Sequence, residues 1–127
     1  MAELHKLGHL DTQPLEKEFG KLKTDEIIIT NERIEHIKER HPNDFSLFEE
    51  YGKSTVESPD FIIRDSQHDN TVFMVKHLDG TNLNVVARLI LECDEKDYKN
   101  SVMTFYRLRD KNLKKLQKKN KPLYKSE

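Results

Sequence analysis

Four apolar segments follow one another between residues 61 and 109, and they constrain the fold of this chain more than any other feature. They read FIIRD, TVFMVKHL, NLNVVARLILE and SVMTFYRLR, and short polar loops separate them. Their β-branched and aromatic residues favour strands. Asp79 and Gly80 lie between the second and third segments, and an Asp-Gly pair supplies the positive φ of a tight hairpin turn. The sequence therefore predicts antiparallel neighbouring strands.

The chain before these segments is predicted to be mostly helical. PLEKEFGKL indicates a short helix that ends near Gly20, within an N-terminal arm formed by residues 1–24. DEIIIT is a predicted strand, Thr30 is a candidate N-cap for the next helix, and Pro42 ends that helix. NDFSLFEEYGKSTVE then predicts a helix interrupted by Gly52. The expected fold is α+β, with N-terminal helices packed on an antiparallel sheet of about four to five strands.

The length of 127 residues suits one domain, residues 1–127. No segment approaches the roughly 20 apolar residues that cross a bilayer, and the N-terminus lacks the pattern of a signal peptide. We therefore expect a cytoplasmic protein with no membrane contact. Cys93 is the sole cysteine, so an internal disulfide or a multi-cysteine metal site is excluded.

Charge is distributed unevenly along the chain. The formal net charge is -1, yet residues 111–127 form a lysine-rich tail with seven lysines and one acid. A helix is expected in this tail around Leu113 and Leu116. The acidic balance of the rest argues against a broad basic surface that grips duplex nucleic acid. The tail could hold RNA backbone or simply keep the chain end in solution.

The segment TNERIEHIKERHPND concentrates candidate functional residues on one predicted helix. At about 100° per residue, its two sides carry Ile34, Ile37 and His41 on one, and Arg33, His36 and Arg40 on the other. His36 and His41 are about 140° apart, which excludes the paired geometry of a helical zinc site. No metal or other cofactor is predicted.

Each side of this helix has two interpretations. His41 continues the apolar stripe at the helix C-terminus, where the macrodipole favours imidazolium. It could be a general acid or base, or a histidine satisfied by one buried hydrogen bond. The opposite cationic stripe could receive a phosphate, or could pair with the acids of the same helix, Glu32, Glu35 and Glu39.

Three polar residues interrupt the apolar strands. Strict alternation groups Lys76 with Val72 and Met74, Arg88 with Val86 and Ile90, and Thr104 with Val102 and Tyr106. A cation inside an apolar run is costly to bury, so each either reaches an edge or converges on an anion-binding cleft. If Lys76, Arg88 and Thr104 all project from one face, they form a phosphate-sized pocket.

The residues together resemble a known family. DEIIITNERIEHIKERHPND, ESPDFII, a lysine on the following strand, VVARL, YKNSVMTF and a terminal LYKSE resemble the phage-associated branch of the barnase, EndoU, colicin and RelE-like nuclease superfamily. The resemblance covers nearly the whole chain. It implies a barnase- or RelE-like fold, metal-independent RNA cleavage, and a toxin-like or mobile-element context.

The resemblance carries functional roles to matching positions. It implies catalytic residues at His41, His36, Lys76, Arg88 and Thr104, and substrate-binding residues at Arg40, Asn100 and Ser101. The cationic stripe adds Arg33 and the aromatic ring of the last strand adds Tyr106 as further candidates for substrate binding. Histidine would transfer protons, His41 ahead of His36, while the cations and hydroxyls stabilise the phosphorane and Tyr106 stacks on a base. RNA and a cognate acidic inhibitor protein are the expected partners. The alternative is a non-catalytic module that binds RNA or protein with the same groove.

Overall fold

A computed structural model describes residues 4–93 and 99–126. The strands are β1 (Leu4–His9), β2 (Glu26–Thr30), β3 (Phe61–Arg64), β4 (Thr71–Leu78), β5 (Thr81–Arg88), β6 (Asn100–Leu108) and β7 (Pro122–Lys125). The helices are α1 (Thr12–Phe19), α2 (Asn31–Arg40), α3 (Phe45–Glu57) and α4 (Asp110–Lys119). The predicted loop CDEKDYKN lies outside the described residues at 94–98, as do residues 1–3 of the predicted arm and residue 127 of the predicted tail.

The sheet differs from the predicted one. Its order in the described part of the chain is β1-β2-β6-β5-β4-β3-β7, and β2 pairs with β6 in parallel while the other pairs are antiparallel. The prediction of N-terminal helices on an antiparallel sheet of four to five strands is therefore wrong, because the described chain begins with a strand and the sheet is mixed and seven-stranded.

The two unpredicted strands lie at the sheet edges. β1 is mostly exposed and its pairing with β2 shifts register between Lys6 and Gly8, while β7 is four residues long and pairs only with β3. An edge strand needs one hydrogen-bonded neighbour and little apolar surface. The sequence of such a strand consequently lacks the alternation that identifies an inner strand.

Several local predictions are confirmed. The Thr30 hydroxyl caps α2 by accepting a hydrogen bond of 3.1 Å from the Arg33 amide. Gly80 has φ +80° in the hairpin between β4 and β5. Gly52, however, does not interrupt α3: a Cβ there would lie 2.8 Å from the Phe48 ring, so the glycine makes room for that ring within a continuous helix.

The sheet separates two unequal apolar cores. Opposed residues of antiparallel strands point to the same side. The first core contains Leu15 of α1, Ile37 of α2 and Phe48 and Val56 of α3, so we call this side the three-helix face. On the other side, Leu113 of α4 packs with residues of β3, β4 and β6, and this side is the single-helix face. The contents of the second core are Ile63, Val75, Leu108 and Leu113, with Phe61, Phe73, Tyr106 and Leu116 against them.

Candidate functional site

Polar side chains are aligned along β6 on the single-helix face. Arg88 is opposite Ser101, Val86 is opposite Thr104, and Asn84 is opposite Tyr106. Arg88 is exposed, and Ser101, Thr104 and Tyr106 are half-buried. We call these four residues, Arg88 of β5 and Ser101, Thr104 and Tyr106 of β6, the β6 row. The structure therefore brings together four of the residues predicted from the sequence.

His41 lies at the Tyr106 end of the β6 row. The centroids of the two rings are 6.2 Å apart, with an angle of 33° between the ring planes. His41 is the C-cap of α2, and its amide donates a hydrogen bond of 2.7 Å to the Ile37 carbonyl. His41 is half-buried, and its ring has no hydrogen bond with any described residue. The buried hydrogen bond of the alternative interpretation is therefore not found among these residues.

The turn after α2 holds His41 against β6. The Asp44 amide donates a hydrogen bond of 3.0 Å to the His41 carbonyl. The Asp44 carboxylate in turn pairs with Arg107 of β6 at 2.9 Å, and this carboxylate is mostly buried. No pattern in the sequence indicates this ion pair, which connects the backbone next to His41 to the strand that carries Tyr106.

The cationic stripe of α2 lies beside this turn. Arg33 is half-buried, while His36 and Arg40 are exposed. None of the three side chains has a hydrogen bond or ion pair with a residue in 4–93 or 99–126, and Glu35 pairs instead with Lys38 at 3.8 Å. The described structure thus leaves the stripe without the predicted pairing to its neighbouring acids.

Lys76 does not join the other predicted cation. Lys76 is opposite Leu83, whose side chain belongs to the first core. Arg88 is opposite Thr71, which is five positions before Lys76 on β4 and therefore points to the other side of the sheet. Lys76 therefore projects from the three-helix face and Arg88 from the single-helix face. The pocket predicted from Lys76, Arg88 and Thr104 does not form, because the register places the two cations on opposite sides.

A bulge changes the predicted alternation of β6. Ala87 is opposite Val102 and Val86 is opposite Thr104, which leaves Met103 as an extra residue. Val102 consequently packs in the first core, while Thr104 and Tyr106 lie on the other face. The prediction that all three share a face was wrong for Val102.

Asn100 has a structural role. It is completely buried, and its amide group donates hydrogen bonds of 2.8 Å to the carbonyls of Thr24 and Glu26. Its oxygen accepts a hydrogen bond of 2.8 Å from the Ile90 amide. These bonds join the starts of β2 and β6 to the segment after β5, so the side chain is committed to backbone groups and leaves no donor for a substrate.

The β6 row is longer than one phosphate group. Tyr106 and Ser101 are opposite Asn84 and Arg88, which are four residues apart on β5, or about 13 Å of extended strand. A direct hydrogen bond spans only about 3 Å. His41 and Arg88 are therefore suited to neighbouring phosphates of an extended strand, with Thr104 between them.

Asn84 is a buried polar residue that sequence analysis missed. It lies between Val75 and Tyr106 on the single-helix face and is fully buried, and neither polar atom of its side chain has a hydrogen-bond partner among the described residues. An asparagine inside the run NLNVVA is the signal that could have identified it, because polar residues are rare in buried strands.

A separate cleft of about 370 Å³ opens on the three-helix face and includes Lys76 in its wall. The Lys76 ammonium donates to the Ser58 carbonyl at 3.0 Å. The carboxylates of the cleft are also engaged: Glu57 accepts from the His9 amide at 3.0 Å, and Asp60 accepts from the His77 amide at 2.7 Å. The groups of this cleft therefore connect α3, β1 and β4 to one another.

Among the residues that the structure describes, no group of three or more His, Cys, Asp or Glu side chains could hold a metal ion. No helix in the described ranges is long and apolar enough to cross a membrane. No family model, curated protein or solved structure matches this chain.

Proposed function

We propose that this protein is a metal-independent endoribonuclease whose site lies along the β6 row, with His41 as the proton-transfer group. The observation that carries the proposal is the contact between the rings of His41 and Tyr106, 6.2 Å apart at one end of that row. It combines an imidazole, which can accept and donate a proton, with an aromatic surface for an unstacked base.

RNA carries its own nucleophile, and this determines what the protein must supply. The 2′-oxygen attacks the adjacent phosphorus, the bond from phosphorus to the 5′-oxygen breaks, and a 2′,3′-cyclic phosphate forms. The His41 imidazole accepts the proton of the 2′-hydroxyl, and the Tyr106 hydroxyl donates a proton to the leaving 5′-oxygen. Return of the proton from the imidazolium to the tyrosinate restores both side chains.

The remaining groups stabilise charge on phosphate. Thr104 is two residues before Tyr106 on the same face of β6, and its hydroxyl donates a hydrogen bond to a non-bridging oxygen. Arg40 is exposed immediately before His41 and binds a phosphate beside the cleaved one, and Arg88 binds a further phosphate at the far end of the β6 row. Lys76 and Asn100 are left out of this site, because one projects from the opposite face and the other is committed to backbone hydrogen bonds.

The resemblance to the phage-associated branch of the barnase, EndoU, colicin and RelE-like nucleases supports the same activity. It also implies a toxin-like setting, in which an acidic inhibitor protein would cover the β6 row and the α2 stripe. Both expectations rest on motifs in α2, β5 and β6 rather than on the overall fold.

A non-catalytic RNA-binding module is the second candidate. The specific observation in its favour is the length of the β6 row, because about 13 Å separates Tyr106 from Ser101 and binding along a strand does not require the groups to converge. The two candidates predict different products, since a binding module releases RNA unchanged.

The test is cleavage of end-labelled RNA in EDTA by folded wild type, His41→Ala and Tyr106→Phe, with His36→Ala as the matched control on the exposed side of α2. We expect His41→Ala to lower the rate by about 10²–10⁴-fold and Tyr106→Phe by a smaller factor, because Phe preserves stacking but cannot donate a proton. His36→Ala should stay within about threefold of wild type.

A chimeric substrate with one 2′-deoxyribose at the cleavage position provides a second control. It should resist cleavage at that position alone, and the products of all-ribose RNA should end in a 2′,3′-cyclic phosphate. Equal activity of His41→Ala and wild type would overturn the assignment of His41. Unchanged RNA after prolonged incubation with wild type, across RNA types and pH, would leave the binding module as the function.

A further inference from the structure

The fourth helix presents a row of lysines that no described residue neutralises. We call Lys111, Lys114, Lys115, Lys118 and Lys119 the lysine row. All five are exposed, and none forms an ion pair or hydrogen bond with a residue in 4–93 or 99–126. At about 100° per residue they occupy an arc of about 140°, on the side of α4 opposite Leu113 and Leu116.

Repulsion within the lysine row lowers the stability of α4 when no anion is bound. Lys111 and Lys115, Lys114 and Lys118, and Lys115 and Lys119 are each four residues apart, and like charges at that spacing destabilise a helix. The formal net charge of the whole chain is only -1, so the rest of the protein is acidic. A local excess of positive charge in an acidic protein favours a polyanionic ligand at that location.

Two leucines and two asparagines attach the helix to the rest of the fold. Leu113 is buried in the second core and Leu116 packs against it. The Asn82 amide donates 2.8 Å hydrogen bonds to the Leu108 carbonyl and the Asp110 carboxylate, which fixes the helix N-terminus. Asn120 accepts from the Ser66 amide at 2.9 Å beyond its C-terminus. The lysine row is thus presented on a fixed support rather than on a free tail.

α4 packs on the same face of the sheet as the proposed site, and the lysine row lies on the side of the helix away from the sheet. α4 begins two residues after β6 ends, and Tyr106 packs against the core that contains Leu113. Lys111 and Lys119 are eight residues apart, which is about 12 Å of helix. The row is therefore longer than one phosphate group and suits several phosphates along one RNA strand.

We propose that the lysine row binds the phosphate backbone of single-stranded RNA that extends beyond the β6 row. This inference rests on the proposed function, since it assigns the row to the same substrate. Single-stranded RNA is the form that fits, because stacking on Tyr106 requires an unpaired base. The row contributes affinity without sequence preference, while His41 and Tyr106 act on the cleaved linkage.

The test measures binding of fluorescein-labelled single-stranded RNA with 2′-O-methyl riboses, which lacks the nucleophile and stays intact with wild-type protein. Fluorescence anisotropy over a series of salt concentrations is compared for wild type, Lys115→Gln/Lys118→Gln and the charge-conserving Lys115→Arg/Lys118→Arg. The matched control is Lys17→Gln/Lys53→Gln, which removes the same charge from two exposed lysines on helices of the three-helix face.

We expect Lys115→Gln/Lys118→Gln to raise Kd on the order of tenfold at about 0.1 M salt and to reduce the slope of log K against log salt by about 1.4. The arginine variant and the control should stay near wild type. Equal losses in the control and in the row variant, or no loss in either, would overturn the inference.

Cleavage of all-ribose RNA by the same proteins separates this inference from the proposed function. Cleavage that needs His41, together with unchanged binding by the row variant, would overturn the role of the lysine row alone. Binding that depends on the row, without cleavage by wild type, would overturn the nuclease and retain the row as an RNA-binding surface.

Discussion

The two faces of the sheet differ in what covers them, although the same strands supply both. On the three-helix face the ring of Phe105 stacks on Phe48 with centroids 4.1 Å apart, inside a core of leucine, isoleucine and valine. On the single-helix face, β5 carries Asn82, Asn84 and Arg88. One face of β5 and β6 therefore stabilises the fold and leaves the other free to carry polar side chains.

The contrast is sharpest at two adjacent residues of β6. Phe105 is completely buried, while Tyr106 is half-buried and contacts His41. Packing on one side of the strand thus fixes the backbone that positions the group on the other. Rigid support of this kind is what a catalytic or binding side chain needs.

The largest expected effect comes from Phe105. Phe105→Ala should lower the free energy of unfolding by about 3–5 kcal/mol, because it removes a buried ring that contacts Phe45 and Phe48 and leaves a cavity. Tyr106→Ala, the matched change one residue away, should cost less than about 2 kcal/mol, since half-buried side chains lose less contact on truncation. Urea unfolding followed by circular dichroism measures both, and equal costs would contradict the proposed division between the faces.

The next effect compares two buried asparagines on the single-helix face. Asn82→Val should destabilise by about 2–3 kcal/mol, because it leaves the Leu108 carbonyl and the Asp110 carboxylate without their donor. Asn84→Val should instead stabilise by about 1–2 kcal/mol, because no described residue bonds the Asn84 side chain and its burial is uncompensated.

Thermal unfolding of the two valine variants shows directly whether each substitution raises or lowers the stability of the protein. A loss of stability in Asn84→Val similar to that in Asn82→Val would show that the Asn84 amide has a partner in solution, such as a buried water. If Asn84→Val gains stability but loses RNA affinity, Asn84 contributes to RNA binding together with the β6 row.

The smallest effect concerns an ion-pair cluster on the three-helix side. The pKa of Glu18 is held below its ordinary value of 4.5 by hydrogen bonds from Lys121 at 2.6 Å and from Arg64 at 2.5 Å, and by the charges of both cations. Because the folded pKa is lowered, the stabilisation is present above pH 4.5 and is lost as pH falls through the depressed folded value.

Glu18→Gln should therefore be less stable than wild type near neutral pH, by less than about 1 kcal/mol for each pair, because both cation partners are largely exposed to solvent. The difference should shrink when unfolding is repeated at successively lower pH below 4.5. A difference that is constant over the acid range would show that the carboxylate charge contributes nothing and that the change acts through packing. Glu49→Gln, on an exposed position of α3, controls for removal of one acid.

Inner strands and helix ends of this protein were predictable because their signals are local. A hydroxyl at Thr30, a glycine at position 80 and a continuous β-branched run each constrain a few neighbouring backbone dihedrals. Their effects depend little on the rest of the chain. The edge strands β1 and β7 were not predictable in this way, since pairing with β2 and β3 rather than their own apolar pattern defines them.

The candidate site was predictable in part. The chemistry of His41, Arg88, Thr104 and Tyr106 is visible in the sequence as polar groups within apolar patterns, and the structure places them on or beside one face. Lys76 carries the same signal and lies on the opposite face. Asn100 is likewise a polar residue beside an apolar run, and its side chain forms hydrogen bonds with backbone groups.

Local sequence patterns specify where most helices and inner strands of this protein begin and end, and they show that residues 111–127 are basic. Which side chains come into contact depends on how these elements pack. A shift of one residue in strand register, or one extra residue such as Met103 at a bulge, moves a side chain to the other side of a sheet. The opposite faces of Lys76 and Arg88 follow from the register of the β4–β5 hairpin. The contact of His41 with Tyr106 joins segments far apart in the chain, so it emerges only when α2 packs beside β6.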